Sequence, residues 1–263
     1  MIYVGNNELK RRFVGDDEVL KVYIGGELVW PDAPAPISQH LTFASQTAFE
    51  LRHIRHTSKT WDGTLEYSTD NGSTWRAMGN GDAVESGPQN TILLRGSGNS
   101  VITSQDQAFA ITGTAVSCSG NIETLLDWET VAGNGHPIPA SYAFRAMFWG
   151  CDALISGPDL STLVLSPACL LEFYYNCKGI EVLPRFAQSS FGMMACASMF
   201  YGCEKIKLSE TQTGEYQTEY RLPAVGIGTN AGSALQGMFT ATGGAFQGTP
   251  LINTAYYTSN AIM

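Results

Sequence analysis

Charged side chains are scarce in this sequence. Aspartate, glutamate, lysine and arginine make up 15% of the 263 residues, against roughly 25% in an average soluble protein. The 24 acidic and 15 basic residues leave a formal net charge of −9. The one cluster of bases, Lys10 to Arg12, lies close to Asp16, Asp17 and Glu18. Because nucleic-acid-binding domains carry a basic face, we predict no nucleic-acid partner.

Long apolar runs are also missing. No stretch approaches the roughly 20 apolar residues that span a bilayer, and residues 1–30 lack the unbroken apolar core of a secretory signal. We therefore expect no membrane insertion and no export by the general route. Folding in a cytosol keeps the six cysteines reduced. No two of them form a C-x-x-C pair, so no zinc site is expected.

Sequence motifs of catalysis and cofactor binding are absent as well. There is no G-x-S-x-G nucleophile turn and no glycine-rich phosphate loop of the Walker or Rossmann type. His53 and His56 are three residues apart in a segment that reads as a strand, so they would face opposite ways. We predict that the chain is not an enzyme and that it holds no cofactor and no metal ion.

One motif does occur, between Ser68 and Trp75. It matches the Asp-box pattern S-x-D-x-G-x-T-W, which is found in sialidases and in many other β proteins. We interpret it as a hairpin in which Asp70 caps backbone N–H groups, Gly72 takes the left-handed turn and Trp75 packs underneath. A sialidase would need several copies of this motif, together with an arginine cluster and a nucleophilic tyrosine.

The first 36 residues read as a small β unit and a stiff linker. A pattern of about ten residues recurs three times, in which an apolar residue precedes Gly and turn-forming Asn, Asp or Gly at 4–9, 14–19 and 24–30. Such turns predict a β meander, and three prolines between residues 31 and 36 mark a boundary. A sheet of so few short strands cannot stand alone. It must therefore pack on the next domain or on another protein.

Residues 37–118 predict a small β-sandwich. Short strand candidates alternate with turns rich in Gly, Asn and Asp, which is the rhythm of such a domain. The candidate strands are 41–43, 65–68, 91–95 and 109–112.

A repeat of 26 residues dominates residues 119–263, and a repeat length in the twenties is typical of leucine-rich repeats. Three columns recur in register, which predicts a short stacked solenoid with these side chains in its core. The repeat-core candidates are Phe148, Cys151, Leu154, Tyr174, Cys177, Ile180, Phe200, Cys203 and Ile206. A fourth, degraded copy is expected at Met238 and Phe239, because the end of a solenoid must be capped.

Each repeat is expected to combine a short helix with a short strand. The segment from Ala143 to Trp149 reads as an aromatic-rich helical turn that ends at Gly150. Cys151 would then lie beneath it as a small buried thiol. A strand around Leu154 would pair in parallel with its equivalents in the neighbouring repeats. The predicted fold is therefore mainly β with short helices.

A further aromatic column, formed by Trp149, Tyr175 and Tyr201, keeps the same step of 26. Packing in the core is the default interpretation. If the column is exposed, it is a candidate contact surface, because aromatic side chains bring large contact area at low entropic cost.

The segments MFWGC–DAL, FYYNC–KGI and MFYGC–EKI resemble the BspA-like leucine-rich repeats, with Asn176 replacing the usual Gly in the second copy. Such repeats occur in bacterial surface proteins and in bacteriophage proteins. The segment VYIGGELVWP (22–31) resembles the start of phage minor tail and fibre proteins. The segments LEYSTDNGSTW (65–75) and SGNIETLL (119–126) are similar to such proteins as well.

These resemblances imply a structural or adhesive component of a virion, in the tail, baseplate or fibre. The N-terminal unit would attach to other virion proteins, with Val14, Tyr23, Ile24 and Trp30 as anchor candidates. The repeats would face outward, toward a host-surface glycan or protein. A homo-oligomer is expected, since virions are symmetric. The alternatives are a bacterial surface adhesin and, less favoured, a glycan-acting enzyme that carries the Asp-box hairpin.

Overall fold

The computed structural model consists mainly of strands with one short helix, which confirms the coarse prediction. It describes residues 2–4, 7–11, 22–24, 27–30, 40–54, 61–103, 107–184, 186–188, 190–209, 218–221, 232–250 and 255–258. The chain divides into two compact units, Met1–Ser38 and Gln39–Met263. Segments 37–118 and 119–263, which the sequence predicts as separate domains, therefore lie within one unit apart from the first two residues.

The N-terminal unit contains one antiparallel sheet. Its strands are β1 (Ile2–Val4), β2 (Asn7–Arg11), β3 (Val22–Ile24) and β4 (Glu27–Trp30), and they pair in sequence order. This is the order of a meander. Tyr23 and Ile24 lie in β3 and Trp30 ends β4, while Val14 lies outside the described residues.

Eight strands between residues 41 and 119 form two antiparallel sheets. They are β5 (Leu41–Ala44), β6 (Glu50–His53), β7 (Thr64–Ser68), β8 (Arg76–Ala77), β9 (Ala83–Glu85), β10 (Thr91–Ser97), β11 (Phe109–Thr112) and β12 (Ser117–Ser119). The first sheet has the order β12-β5-β10-β7-β8 and the second has the order β11-β6-β9. Side chains alternate along β5, where Leu41 and Phe43 are buried, as expected of a strand with one face against a core.

The helix α1 (Thr124–Ala132) follows the sheets and packs against β10. Leu125 and Leu126 are buried. The helix is interrupted at Asp127, which has extended backbone angles (φ −157°, ψ 98°). It ends at Gly133.

The predicted helical turn from Ala143 to Trp149 is wrong. Residues 141–150 form a run of consecutive turns, and similar runs cover 167–176, 193–202 and 232–241. In the first run Tyr142, Ala146 and Gly150 have positive φ (64°, 51° and 69°). A right-handed helix cannot contain such angles, so Gly150 does not end a helix. Left-handed angles at non-glycine residues are unfavourable by about 1 kcal/mol each, so other interactions must stabilise the runs.

Hydrogen bonds between the runs provide that stabilisation. Alternate N–H groups of each run bond within the run, and the others donate to carbonyls of the following run. Phe144, Ala146 and Phe148 donate to the carbonyls of Cys169, Leu171 and Phe173 at 2.9, 2.9 and 3.0 Å. The same ladder joins the second run to the third and the third to the fourth. The predicted fourth copy lies in this last position, where the N–H of Phe200 donates to the carbonyl of Met238 at 2.9 Å.

The expected parallel strand near Leu154 is reduced to isolated contacts. Leu154 forms a single parallel bridge with Val116, and the N–H of Glu181 donates to the carbonyl of Ile155 at 3.0 Å. The remaining strands form a sheet of order β14-β16-β13-β15, in which β13 and β15 pair in parallel. They are β13 (Lys207–Ser209), β14 (Thr218–Arg221), β15 (Gly243–Gly244) and β16 (Ala255–Thr258).

A column of aromatic rings occupies the centre of the repeats. Phe148, Tyr174, Phe200 and Phe239 are fully buried and stack with centroid separations of 5.9, 5.4 and 5.5 Å. Phe148 also contacts Phe43 of β5 edge to face, with centroids 6.0 Å apart. One hydrophobic core therefore extends from the sheets to the last run, which explains why residues 39–263 form one unit. Burial of each such ring stabilises the fold by about 2 to 3 kcal/mol.

Thiols line the same core. Cys151, Cys177 and Cys203 are buried, and each Sγ–H donates to a backbone carbonyl in the preceding layer. The acceptors are the carbonyls of Phe109, Phe148 and Tyr174, at 3.1, 2.6 and 3.1 Å. Leu154, Ile180 and Ile206 are fully buried beside them. All six cysteines of the chain are buried and none forms a disulfide.

We predict that the native protein does not react with Ellman's reagent at pH 8. Burial raises the pKa of Cys151 and Cys203 to about 12, so only about one thiol in ten thousand is ionised at that pH. All six thiols should react once the protein is unfolded in denaturant. Reaction of Cys151, Cys177 and Cys203 within seconds in the native state would contradict this packing.

We also predict that Tyr174→Phe stabilises the protein. The hydroxyl of Tyr174 is fully buried and has no hydrogen-bond partner among the described residues, and a buried unsatisfied group destabilises by roughly 1 to 3 kcal/mol. Urea unfolding should show a gain of about 1 kcal/mol in the free energy of unfolding. The matched variant Phe200→Tyr adds a hydroxyl to the same column and should lower that free energy. Destabilisation by Tyr174→Phe would show that the hydroxyl has a stabilising role.

Candidate contact surface

The turn runs have an inner side and an outer side. In the first run Ala143, Phe144, Met147 and Phe148 are fully buried in the main core. A second apolar cluster consists of Ala168, Leu171 and Ala197 with Met194 against them, and it is separate from the main core. It therefore lies on the other side of the backbone, and this outer side carries the candidate contact surface.

The aromatic column of Trp149, Tyr175 and Tyr201 lies on the surface and not in the core. Trp149 is 36% exposed and the two tyrosines are half-buried. The rings of Trp149 and Tyr175 have centroids 4.7 Å apart at a 41° tilt. Those of Tyr175 and Tyr201 are 4.5 Å apart and parallel to within 1°. We call these three side chains the aromatic ladder.

The stacking determines which parts of the three rings remain accessible to a partner. Both faces of the Tyr175 ring are covered by its neighbours, so it offers its edge and its hydroxyl. Burial and the hydrogen bond with the Tyr201 hydroxyl raise the pKa of Tyr175, which keeps that group a neutral donor and acceptor. Among the described residues, Trp149 has one stacked ring neighbour, Tyr175. Ring pairs of this kind stabilise by about 0.5 to 1.5 kcal/mol beyond their buried area, so the ladder is ordered before any partner binds.

Two ion pairs involve residues close in sequence to the aromatic ladder. Arg145 donates through Nη2 to Glu172 at 3.0 Å, with both side chains about a quarter exposed. Lys178 and Glu204 form a more exposed pair at 3.3 Å. Exposed pairs contribute at most about 1 kcal/mol each.

The Asp-box segment forms the hairpin that its sequence predicts. The Asp70 carboxylate accepts hydrogen bonds from the Thr74 N–H at 2.9 Å, the Thr74 hydroxyl at 2.7 Å and the Ser68 hydroxyl at 2.7 Å. Gly72 has a φ of +84°. A Cβ on Gly72 would lie 3.6 Å from the Trp75 ring, so the indole packs beneath the turn. The Asp70 carboxylate therefore has a structural role, because its hydrogen bonds stabilise the hairpin.

Sequence reasoning missed a cation–aromatic cluster that joins this hairpin to α1. The Arg95 guanidinium lies 4.0 Å from the ring centroid of Trp75 and 4.5 Å from that of Trp128. Its Nε donates to Glu66 at 2.8 Å. His40 packs edge to face against both indoles, and burial together with Arg95 lowers its pKa. Because Arg95 already lies between the two rings, the cluster holds the sheet and the helix together.

The other site candidates fall in different places. His53 is buried at the end of β6, and its Nδ1 accepts a hydrogen bond from the Gly81 N–H at 3.1 Å. His56 lies outside the described residues. Within the described ranges, no group of three or more His, Cys, Asp or Glu side chains could hold a metal ion. In the same part of the chain, no helix is long and apolar enough to cross a membrane.

Comparisons of the chain with protein-family models, curated proteins and solved structures found no match in any of the three. The aromatic ladder is the feature that combines exposure, order and repetition.

We predict that the Asp70 carboxyl titrates near pH 2. Hydrogen bonds from Thr74, first its hydroxyl and then its N–H, lower the pKa of Asp70 to about 2. Since the unfolded carboxyl titrates higher, near 4, the hairpin is stabilised above that value and loses the stabilisation as pH falls through about 2. Carboxyl carbon shifts measured by NMR test this. Thr74→Val should move the midpoint upward, and a wild-type midpoint near 4 would contradict the geometry.

Proposed function

We propose that this chain is a non-enzymatic structural and adhesive component of a bacteriophage virion, in the tail, baseplate or fibre. In this proposal the N-terminal sheet is the anchor and the two-sheet region is a β-sandwich spacer. The four turn runs form a leucine-rich-repeat-like solenoid of the BspA type. The aromatic ladder is the surface that meets a host-surface glycan or protein.

The surface position of the aromatic ladder is the observation that carries the proposal. Three large side chains are held in a row by stacking and by the hydrogen-bonded runs beneath them. A partner that binds them therefore does not have to order them first, and such preorganisation favours affinity. Aromatic side chains also dominate the binding energy of many interfaces.

The backbone ladder supports the solenoid part of the proposal. Each of the first three runs uses alternate N–H groups to bond the run that follows, which begins 39 residues later for the third run and 26 residues later for the first two. The stacked rings and thiols follow the step of 26. A single repeat could bury neither its inner face nor its backbone, which is the defining property of solenoid proteins.

The separate N-terminal unit supports the anchor. Residues 1–38 form their own compact unit with a sheet of four short strands. So small a sheet gains stability by packing on another protein, here a neighbouring virion protein. Val14, Tyr23, Ile24 and Trp30 remain the anchor candidates. Symmetric attachment would make the chain a homo-oligomer in the virion.

A bacterial surface adhesin is the alternative, because the same aromatic ladder would serve there. Electron cryo-microscopy of intact particles separates the two. Density for this chain on the particle, with residues 1–38 against a neighbouring protein, supports the virion assignment. Particles that lack the chain would refute it.

We predict that Trp149→Ala particles adsorb to host cells more slowly than wild type. Loss of an aromatic hot spot removes about 2 kcal/mol of binding free energy, or roughly 30-fold in affinity. Thr112→Ala changes an exposed side chain at the end of β11 and serves as the control. Both particles must contain the protein at wild-type copy number. Unchanged adsorption of the Trp149→Ala particle would exclude the aromatic ladder from host contact.

A further inference from the structure

Tyr175 and Tyr201 form a stacked pair of phenols within the aromatic ladder. Their ring centroids are 4.5 Å apart, their planes are parallel to within 1°, and their hydroxyl groups are hydrogen-bonded to each other. Because the rings are parallel and their hydroxyls meet, the ring carbons next to each hydroxyl, the Cε carbons, also lie close to those of the other ring. Among the ring contacts between described residues, this is the one that joins two tyrosines.

These Cε carbons are where a phenol reacts once it has lost an electron. Removal of one electron and the hydroxyl proton converts tyrosine into a phenoxyl radical, whose unpaired electron is shared between the oxygen and the Cε carbons. Two such radicals combine through these carbons to give dityrosine. In solution the two radicals must first meet, whereas the fold holds Tyr175 and Tyr201 in contact. Such positioning removes most of the entropic cost of the encounter.

The surroundings of the pair favour this reaction. Both tyrosines are half-buried at the surface, so a diffusible oxidant reaches them. Tyr174, the neighbour of Tyr175 in the chain, is fully buried and stacks on Phe148 and Phe200, which cannot form phenoxyl radicals. Thiols reduce phenoxyl radicals, but all six cysteines of the chain lie buried in the core. The outer side of the runs thus offers each radical a partner phenol and no exposed thiol.

We propose that Tyr175 and Tyr201 are a site of covalent modification, at which an intramolecular dityrosine bond joins the second repeat to the third. The oxidant is hydrogen peroxide, activated by a haem peroxidase that takes one electron at a time. Each phenol loses one electron and one proton, a bond forms between one Cε carbon of each ring, and the two displaced ring hydrogens return to the hydroxyl oxygens. Overall two C–H bonds break and one C–C bond forms, while the two electrons and two protons reduce the peroxide to two molecules of water.

The bond changes the stability of the repeats. It links two residues 26 apart and, like a disulfide, restricts the unfolded chain more than the folded one. The cross-linked chain is therefore expected to unfold at a higher urea concentration than the untreated chain. The rings already stand in register before the bond forms, so the hydrogen bonds between the second and third runs persist in the product. None of this rests on the proposed function, because both partners of the bond belong to one chain.

Treatment of the purified full chain with hydrogen peroxide and a haem peroxidase tests the proposal, at a protein concentration low enough to keep the chains apart. Trypsin separates the two tyrosines, since Tyr175 lies in the peptide 146–178 and Tyr201 in the peptide 186–205. Mass spectrometry of the chains that remain monomeric should find these two peptides joined, with a loss of two hydrogen atoms. Fragmentation should locate the bond at Tyr175 and Tyr201, and the product should show the blue fluorescence of dityrosine.

Two variants that each remove a single hydroxyl provide the comparison. Tyr201→Phe keeps the stacked ring but cannot form the second radical, so the joined peptides and the rise in the urea midpoint should both be lost. Tyr142→Phe removes a more exposed phenol, 43% accessible, and leaves the pair intact, so both should be retained. Near-ultraviolet circular dichroism checks that each variant is folded.

Absence of the joined peptides from wild type, after a dose of oxidant that couples free tyrosine, overturns the proposal. So does a dityrosine bond that forms at another pair in preference, or one between the same two peptides that survives Tyr201→Phe. Absence of the chain from virions would refute the proposed function and leave this result unaffected.

Discussion

Hydrogen bonding between successive turn runs is the constraint on which the rest of the repeat region depends. Alternate N–H groups of each run point out of it and find their acceptors in the next run. A run by itself would leave these donors unpaired, and buried unpaired donors are strongly unfavourable. Each run therefore needs the next one in register. The strained left-handed conformations of Tyr142, Ala146 and Glu172 persist because the hydrogen bonds between runs hold them.

The hydrogen bonds between runs also determine which side chains line the two sides of the runs. Since successive runs are hydrogen-bonded in register, equivalent side chains of neighbouring runs form rows. On the inner side these rows are rings and thiols, and on the outer side lies the aromatic ladder.

The 26-residue period predicted which residues stack, because side chains in register must share a row. It could not predict which side of the backbone a row occupies, so the exposure of Trp149 required the structure. The helical interpretation of Ala143 to Trp149 failed because Ala146 and Tyr142 have positive φ angles there. The conformational preferences of alanine and tyrosine do not predict such angles. The cluster around Arg95 was equally unpredictable. Its partners Trp75 and Trp128 are far apart in sequence and meet only through the fold.

The buried thiols have a consequence for the protein in an oxidising medium. Six reduced cysteines are compatible with an oxidising medium only while packing keeps oxidants out of the core and keeps the thiols apart from one another. An opened molecule would acquire sulfenic acids or mismatched disulfides, and such bulkier, polar groups do not fit beside Leu154 or Ile180. Unfolding in air would therefore be a one-way event. Durability in such a medium depends on how rarely the core opens, which is a property of the unfolding rate.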